Sequence, residues 1–362
     1  MVRPVISNYQ QLNQYEPRIA VIEDTASPAS KKVLEIIKNV GGKSMIIPRF
    51  LSDRLLASQG LTKPEINRIK RAANADEVRE FEQQISAATR LHLQYITRKL
   101  TFVDAVVLPG NQYDIPPSAY HDIAVDAHTR VAPPIDVRFQ TELMMAEYAL
   151  HTRKIPILGI SGGMQLLVVK TGGKLVQHLP SFDKFEKQLL ETVSTVSAAK
   201  ANTPLSLEKL SLRNEKVVSE LSPHFKVVQP RSILGVMLAT SDFEQRAAEY
   251  GAVHLNHQGV RPQDVNQSEM KVTALTSDGA YVEAIEHAYH PMCIGIQFHP
   301  EYHNDLGMRM IKEVVDYART LKSGSFDAKA KVPSYIDLHE QDLAPRVITA
   351  QASNAARLEL IQ

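Results

Sequence analysis

The sequence predicts an α/β fold, a mostly parallel sheet with helices on both faces. Three observations point to it. Four short apolar runs, RIAVIE, AVVL, IPILGI and CIGIQF, read as strands buried on both faces. Segments of helical pattern separate them, as parallel neighbours require. The first run, a helix and a second strand follow one another at βαβ spacing.

The elements follow in order along the chain. Arg18 to Glu23 is the first strand. Ser27-Pro28 then supplies an N-cap and a proline at the first helical position, the helix runs from Ala29 to Val40, and Gly41-Gly42 stops it. Ser44 to Pro48 is the second strand. Residues 60–100 are charged and helically periodic, with Val78, Phe81, Ile85 and Ala88 on one face, which predicts one or two inserted surface helices. Glu77, Arg79, Glu80, Glu82, Arg90 and Arg98 give that insertion a solvated face, a candidate lid or partner surface. Ala105 to Leu108 is a strand that ends in the loop signal Pro109-Gly110-Asn111. Phe139 to His151 is helical and Ile155 to Ile160 is the next buried strand. Ser161-Gly162-Gly163 leads into a helix from Met164 to about Lys170, closed by Gly172-Gly173.

Residues 181–230 are polar and read as an excursion from the core. After Pro230 the pattern turns to β, through ILGVMLA, GAVHL and MKVTALTSDGAYVEAIE, with Asp278-Gly279 as a hairpin turn. CIGIQF is the last buried strand. Leu306, Met310, Val314, Tyr317 and Leu321 share one face of a closing helix. The organisation expected is one domain over residues 1–321, with insertions near 60–100 and 181–230, and a C-terminal tail over 322–362.

Composition bounds the function. The chain has 362 residues, of which 44% are hydrophobic and 22% charged, enough to bury a full core and unlike a disordered, collagenous or coiled-coil chain. A net charge of +1 argues against nucleic acid or an anionic membrane as the main partner. Cys293 is the single cysteine, so no intramolecular disulfide forms and a cysteine-based zinc site is excluded. The first residues, MVRPVISNYQQLNQYEP, carry no apolar leader, and no apolar run approaches the roughly 20 residues that span a bilayer. A cytoplasmic protein is expected.

Two segments carry chemistry. Gly159-Ile160-Ser161-Gly162-Gly163 joins a buried strand to a helix. Small neighbours permit a sharp turn that lifts one side chain above the sheet edge, with the following N–H and the helix N-terminus facing a developing oxyanion. A glycine-rich strand–helix turn with an ordinary serine would carry the same residues. His299-Pro300-Glu301 follows the last buried strand. Two apart in extended backbone, His299 and Glu301 point the same way, so the carboxylate can orient the imidazole, while Pro300 stiffens the link. Ligands of open α/β sheets sit at such carboxyl ends. Pro109-Gly110-Asn111 falls at the same edge, where its N–H groups could serve as further oxyanion donors.

These segments resemble those of class I glutamine amidotransferase domains, flavodoxin-like α/β proteins. GISGGMQ is similar to their G-I-C-x-G-x-Q elbow, GIQFHPEY to their His-Pro-Glu motif, and VVLPGNQYDIPP to their oxyanion loop, usually Pro-Gly-Gly. RKIPILGI, TGGKLVQHLP and AVHLNHQGV resemble the γ-glutamyl hydrolase (peptidase C26) branch, which acts on small γ-glutamyl amides. The resemblance runs from about residue 18 to 320, thinly over 60–100 and 181–230.

The resemblance implies amide hydrolysis of a γ-glutamyl or glutamine-type substrate. Ser161 would be nucleophile, His299 base and Glu301 its support, with Gly110, Asn111 and Gly162 around the oxyanion. Gln165, Asn256, His257 and Gln258 would contact substrate. It implies no cofactor and no metal. A protein partner on the insertions and self-association stay open.

The chain departs from the family pattern at three places. Ser161 stands where the family has cysteine, Asn111 replaces the usual second glycine, and Gly162 replaces a larger residue. A serine hydroxyl depends more on its base than a thiol does. Three explanations of Ser161 compete: an engineered Cys→Ser change, a natural serine nucleophile, and a natural silent site that binds without turnover. Cys293, six residues before His299, reads as a core thiol. His287, His290 and His303 read as surface residues. An α/β-hydrolase esterase fits G-x-S-x-G, but there the acid precedes the histidine in the chain.

Overall fold

The computed structural model describes residues 15–179, 224–229, 232–238, 250–302 and 304–322, less 25, 26, 123, 127, 252 and 255. The expected excursion at 181–230 lies outside them except at 224–229, and the tail except at residue 322.

One sheet, nine-stranded among the described residues, organises the chain. Its parallel part is β1 (Arg18–Ile22), β2 (Lys43–Ile47), β3 (Ala105–Leu108), β4 (Ile157–Ile160) and β9 (Cys293–Ile296), in the order β2-β1-β3-β4-β9. That is the flavodoxin-like order for five parallel strands. Antiparallel strands extend the sheet beyond β9: β8 (Val282–His287), β7 (Met270–Thr276), β5 (His224–Val227) and the two-residue β6 (Tyr250–Gly251). Asp278-Gly279 turns β7 into β8, with Gly279 at φ +76°.

The parallel strands are apolar throughout because both faces are covered. Ile19 and Val21 of β1 point to one side, against Val33 and Ile37 of α1 (Pro28–Asn39) and Met310 and Val314 of α8 (Asn304–Lys322). Ala20 and Ile22 point to the other, where α4 (Glu82–Leu100), α5 (Arg138–Glu147, continued as a π-helical turn over Tyr148–Arg153) and α6 (Gly162–Lys170) bring Ile96, Met145 and Leu167. Each such side chain, fully buried, is worth about 1.5–3 kcal/mol.

Two expectations are revised. The 60–100 segment is more than a pair of surface helices. With α2 (Asp53–Ala57), α3 (Lys63–Arg71) and a 3-10 turn over Ala75–Phe81 it closes a small core of its own, in which Leu56, Ile69, Val78 and Ala88 pack on Ile135 and Val137. The second half of α4 covers the main sheet. The anticipated charged face is exposed. ILGVMLA, read as β, contains the helix α7 (Ile233–Leu238), capped where Gly235 N donates to Ser232 Oγ. Its continuous apolar run did not distinguish a buried helix from a strand.

Candidate active site

The strand ends place the chemistry. β4 ends at Ile160, and Ser161 takes φ +52°, ψ −108° before α6 begins. A β-carbon residue pays for that backbone, and its surroundings impose it. A Cβ on Gly163 would stand 2.2 Å from Leu108 O, and one on Gly159 2.7 Å from the Gly163 carbonyl, so both positions require glycine. Ser161 N donates to Ile296 O at 2.7 Å, tying the turn to the end of β9.

β9 leads into His299. Its Nδ1 lies 2.6 Å from Glu301 Oε1, and Glu301 is wholly buried. The carboxylate accepts from Nδ1–H, which leaves Nε2 to face the site. The backbone N–H of His299 donates to Val253 O, and neighbouring His254 pairs with buried Glu283 at 2.6 Å. Pro300 opens a 3-10 turn, Pro300–Tyr302. Ser161 and His299 converge on Gly110: a Cβ there would meet His299 Cε1 at 2.8 Å, His299 Nε2 at 3.5 Å and Ser161 Cβ at 3.4 Å. Among the described residues no hydrogen bond joins Ser161 Oγ to the imidazole.

The remaining sequence-predicted residues gather here too. Gly110, Asn111, Ser161, Gly162, Gln165, Asn256, His257, Gln258 and His299 line one open cavity of about 170 Å³, with Asp24, Tyr113, Asp114 and Arg130. Several of the amides are committed to its walls. Gln165 Nε2 donates to Gln258 O and Gln297 Oε1, Asn256 Nδ2 donates to Gln258 O, and Gln258 exchanges hydrogen bonds with the backbone of Ile115. His257 stands 2.8 Å from His178 Nδ1 through Nε2 and 3.1 Å from Asp114 Oδ2 through Nδ1. His254 and His257 thus turn to different partners, and no cluster of three or more metal-ligating side chains occurs among the described residues. Asn111 keeps a negative φ and its Oδ1 accepts from Tyr113 N at 3.3 Å, so this loop does not need glycine there.

Behind the loop Pro109-Gly110-Asn111 lies an ionic network that sequence reasoning missed. Arg138, 1% exposed, sits in the first turn of α5. Its guanidinium donates to Asp24 Oδ2 at 2.8 Å, Glu142 Oε1 at 3.0 Å, and the carbonyls of Pro109 and Gly110, each at 3.0 Å. Arg49 pairs with Asp24 at 2.9 Å and with Asp136. Burial pushes the Glu142 carboxyl above the usual carboxylate range, against the pull of Arg138. The Arg138/Glu142 spacing was a visible i,i+4 pair. Asp24, far away in sequence, gave no signal.

His290 corrects an expectation. Read as a surface residue, it is 7% exposed, accepts from Met292 N at Nδ1 and approaches Ala149 O through Nε2. His287 is half-buried, and His303 lies outside the described residues. Cys293 is buried in the core, as expected, and burial pushes its thiol far up. No helix among the described residues is long and apolar enough to cross a membrane.

The chain is 27% identical over 225 residues to a glutamine amidotransferase-like protein of Rickettsia prowazekii (strain Madrid E), covering 59% of this chain and 75% of that one. It is 26% identical over 203 residues to the gamma-glutamyl-gamma-aminobutyrate hydrolase of Escherichia coli (strain K12), covering 56% of this chain and 65% of that protein. The crystal structure of a GMP synthase component from Thermoplasma acidophilum aligns with TM-score 0.41 and 12% identity, over 85% of this chain and 98% of that one. The Peptidase C26 family model matches residues 84–301, more than half of the chain, from the first turn of α4 to Glu301. The chain therefore belongs to the Peptidase C26 family.

Proposed function

We propose that this protein hydrolyses the amide bond of a small γ-glutamyl or glutamine-type substrate, with Ser161 at the nucleophile position. The observation that carries the reading is the strained Ser161 turn beside an imidazole whose far nitrogen is held by a buried carboxylate.

The steps follow from that arrangement. Ser161 Oγ attacks the γ-carbonyl carbon while its proton passes to His299 Nε2. Glu301 stabilises the imidazolium through Nδ1–H. The N–H groups of Gly162 and Asn111 supply the oxyanion donors, and no acceptor among the described residues takes either of them. His299 returns the proton to the amine nitrogen, the carbon–nitrogen bond breaks, and an acyl ester remains on Ser161. Water, deprotonated by His299, then attacks the ester carbonyl, the Ser161 Oγ–acyl bond breaks, His299 returns the proton to Oγ, and the free γ-carboxylate leaves. No step calls for a cofactor. The cavity walls offer Arg130 and Asp114, both signs of charge that an amino-acid zwitterion requires.

A second reading is favoured by the hydroxyl itself. A family site with serine in place of its thiol could bind the same substrate without turnover, as a regulatory or binding protein. One experiment separates the two: glutamate release from glutamine and a panel of γ-glutamyl amides, by the native chain, Ser161→Cys and His299→Ala. Turnover by the native chain, lost in His299→Ala, supports a serine amidohydrolase. Turnover by the cysteine form alone supports a blocked member of the family. Release by neither overturns the hydrolase reading on these substrates.

A further inference from the structure

We infer that Arg138 is the positioning residue of the oxyanion loop, held by Asp24, and that it aims the Asn111 N–H at the reacting carbonyl. The inference rests on the hydrolase reading above and adds how its oxyanion donors are set.

The geometry is that of a peptide plane. In a trans peptide the carbonyl and the following N–H point in opposite directions. Arg138 Nη2 takes the carbonyls of Pro109 and Gly110, both at 3.0 Å. The N–H groups that share those planes, of Gly110 and Asn111, therefore point away from the guanidinium. On that opposite side stands the turn after β4, because a Cβ on Gly162 would lie 3.2 Å from Asn111 N. Flipping the Gly110–Asn111 peptide would break an Arg138 bond and withdraw the donor at once.

The guanidinium is itself fixed on the remaining sides. Asp24, just after β1, holds it at 2.8 Å and also takes Arg49 at 2.9 Å and Ser27 N at 3.1 Å. Glu142, one turn on in α5, takes Arg138 Nε. The segment before Arg138 is pinned in turn: Leu51 N donates to Ile135 O, Val137 N to Arg49 O, and Ile135 and Val137 pack in the small core of the 50–88 insertion. Loops after β1 and β3 thereby meet at one buried cation, and the loop after β2 joins them through Arg49. A planar fork with five donors serves these four acceptors at once, whereas a lysine ammonium has only three donors, all at one point.

The test uses whichever full-length form releases glutamate, native or Ser161→Cys. Arg138→Lys is expected to lower kcat by about 10- to 100-fold, less than outright removal of an oxyanion donor, with KM changed by less than about 3-fold. Asp24→Asn, which keeps an acceptor for both arginines, should give a smaller fall of the same kind. In both variants the Gly110 and Asn111 amide resonances should shift and broaden while those of α6 stay put. An unchanged kcat in folded Arg138→Lys, a rise in KM at constant kcat, or unmoved Gly110 and Asn111 amides would each overturn the inference. If Arg138→Lys fails to fold, Asp24→Asn is judged by the same criteria. If no form releases glutamate, the hydrolase reading falls by itself, and the amide resonances alone decide whether Arg138 sets the loop.

Discussion

Gly162 and Asn111 fill one space between them: a Cβ on Gly162 would stand 3.2 Å from Asn111 N and 3.4 Å from Asn111 Cβ. The tighter of the two contacts is with backbone, and the Asn111 Cβ is at ordinary van der Waals distance, so Gly162 lets the two chain segments approach whatever side chain residue 111 carries. Gly162→Ala should destabilise the chain by about 1 kcal/mol, and Asn111→Gly in the same chain should recover little of it, because the backbone nitrogen stays. Urea midpoints of the two single variants and the double variant check this. Full recovery in the double variant would show that the Asn111 side chain, not its backbone, sets the contact.

Much of the fold was legible because buried parallel strands announce themselves as short apolar runs, and Ser27-Pro28, Gly41-Gly42 and Asp278-Gly279 punctuate them. Ser161, His299 and Glu301 were legible as candidates from their short local motifs, but Glu301 meets His299 from a 3-10 turn and not across two residues of extended strand. What stayed hidden was long-range. Asp24 meets Arg138 and Asp114 meets His257 only through the topology of the strand ends. Residues 233–238 misled because a fully buried helix and a fully buried strand share an unbroken apolar pattern.

Cys293 should be chemically silent in the native protein. It is wholly buried, and burial holds its thiol protonated. Iodoacetamide should therefore leave the native chain unlabelled and modify Cys293 only after unfolding. Ser161 lines the open cavity instead, so Ser161→Cys should be labelled in the native state. Mass spectrometry of the intact chain reads both. Labelling of the native Ser161 chain would show that the core around β9 opens.

His290 should give the fold an acid limb. Desolvation by burial lowers its pKa from 6.5 to about 4, against the pull of the Ala149 carbonyl. A depressed folded-state value means the unfolded chain binds the proton first. The contribution is thus full above about pH 6.5 and is lost as pH falls towards 4. The shift corresponds to about 3 kcal/mol at most. Denaturant midpoints of the native chain and His290→Gln between pH 7.5 and about 4 should converge on the acid side. Parallel curves would show that His290 does not carry the effect.

Substrate choice should be set by a second cavity that adjoins the first. It holds about 660 Å³ and shares Asn111, Tyr113 and Asp114 with the cavity at Ser161. Ile85, Pro116, Val125, Val131, Pro134 and Phe139 make its lining largely apolar, with Arg90 among its polar residues. In the amide-hydrolase reading the smaller cavity takes the glutamyl group, and the larger one receives the amine that leaves. Water held against such walls is released when an apolar group enters, at about 0.8 kcal/mol per buried methylene. Two or three methylenes then suffice for about a tenfold gain in kcat/KM. γ-Glutamyl amides of hexylamine or phenethylamine should accordingly be cleaved at least about tenfold better than glutamine. Val131→Asp should erase that preference while leaving glutamine hydrolysis within about twofold, since exposed Val131 lies outside the smaller cavity. Equal kcat/KM across the panel in the native chain would show that the leaving amine does not enter this cavity.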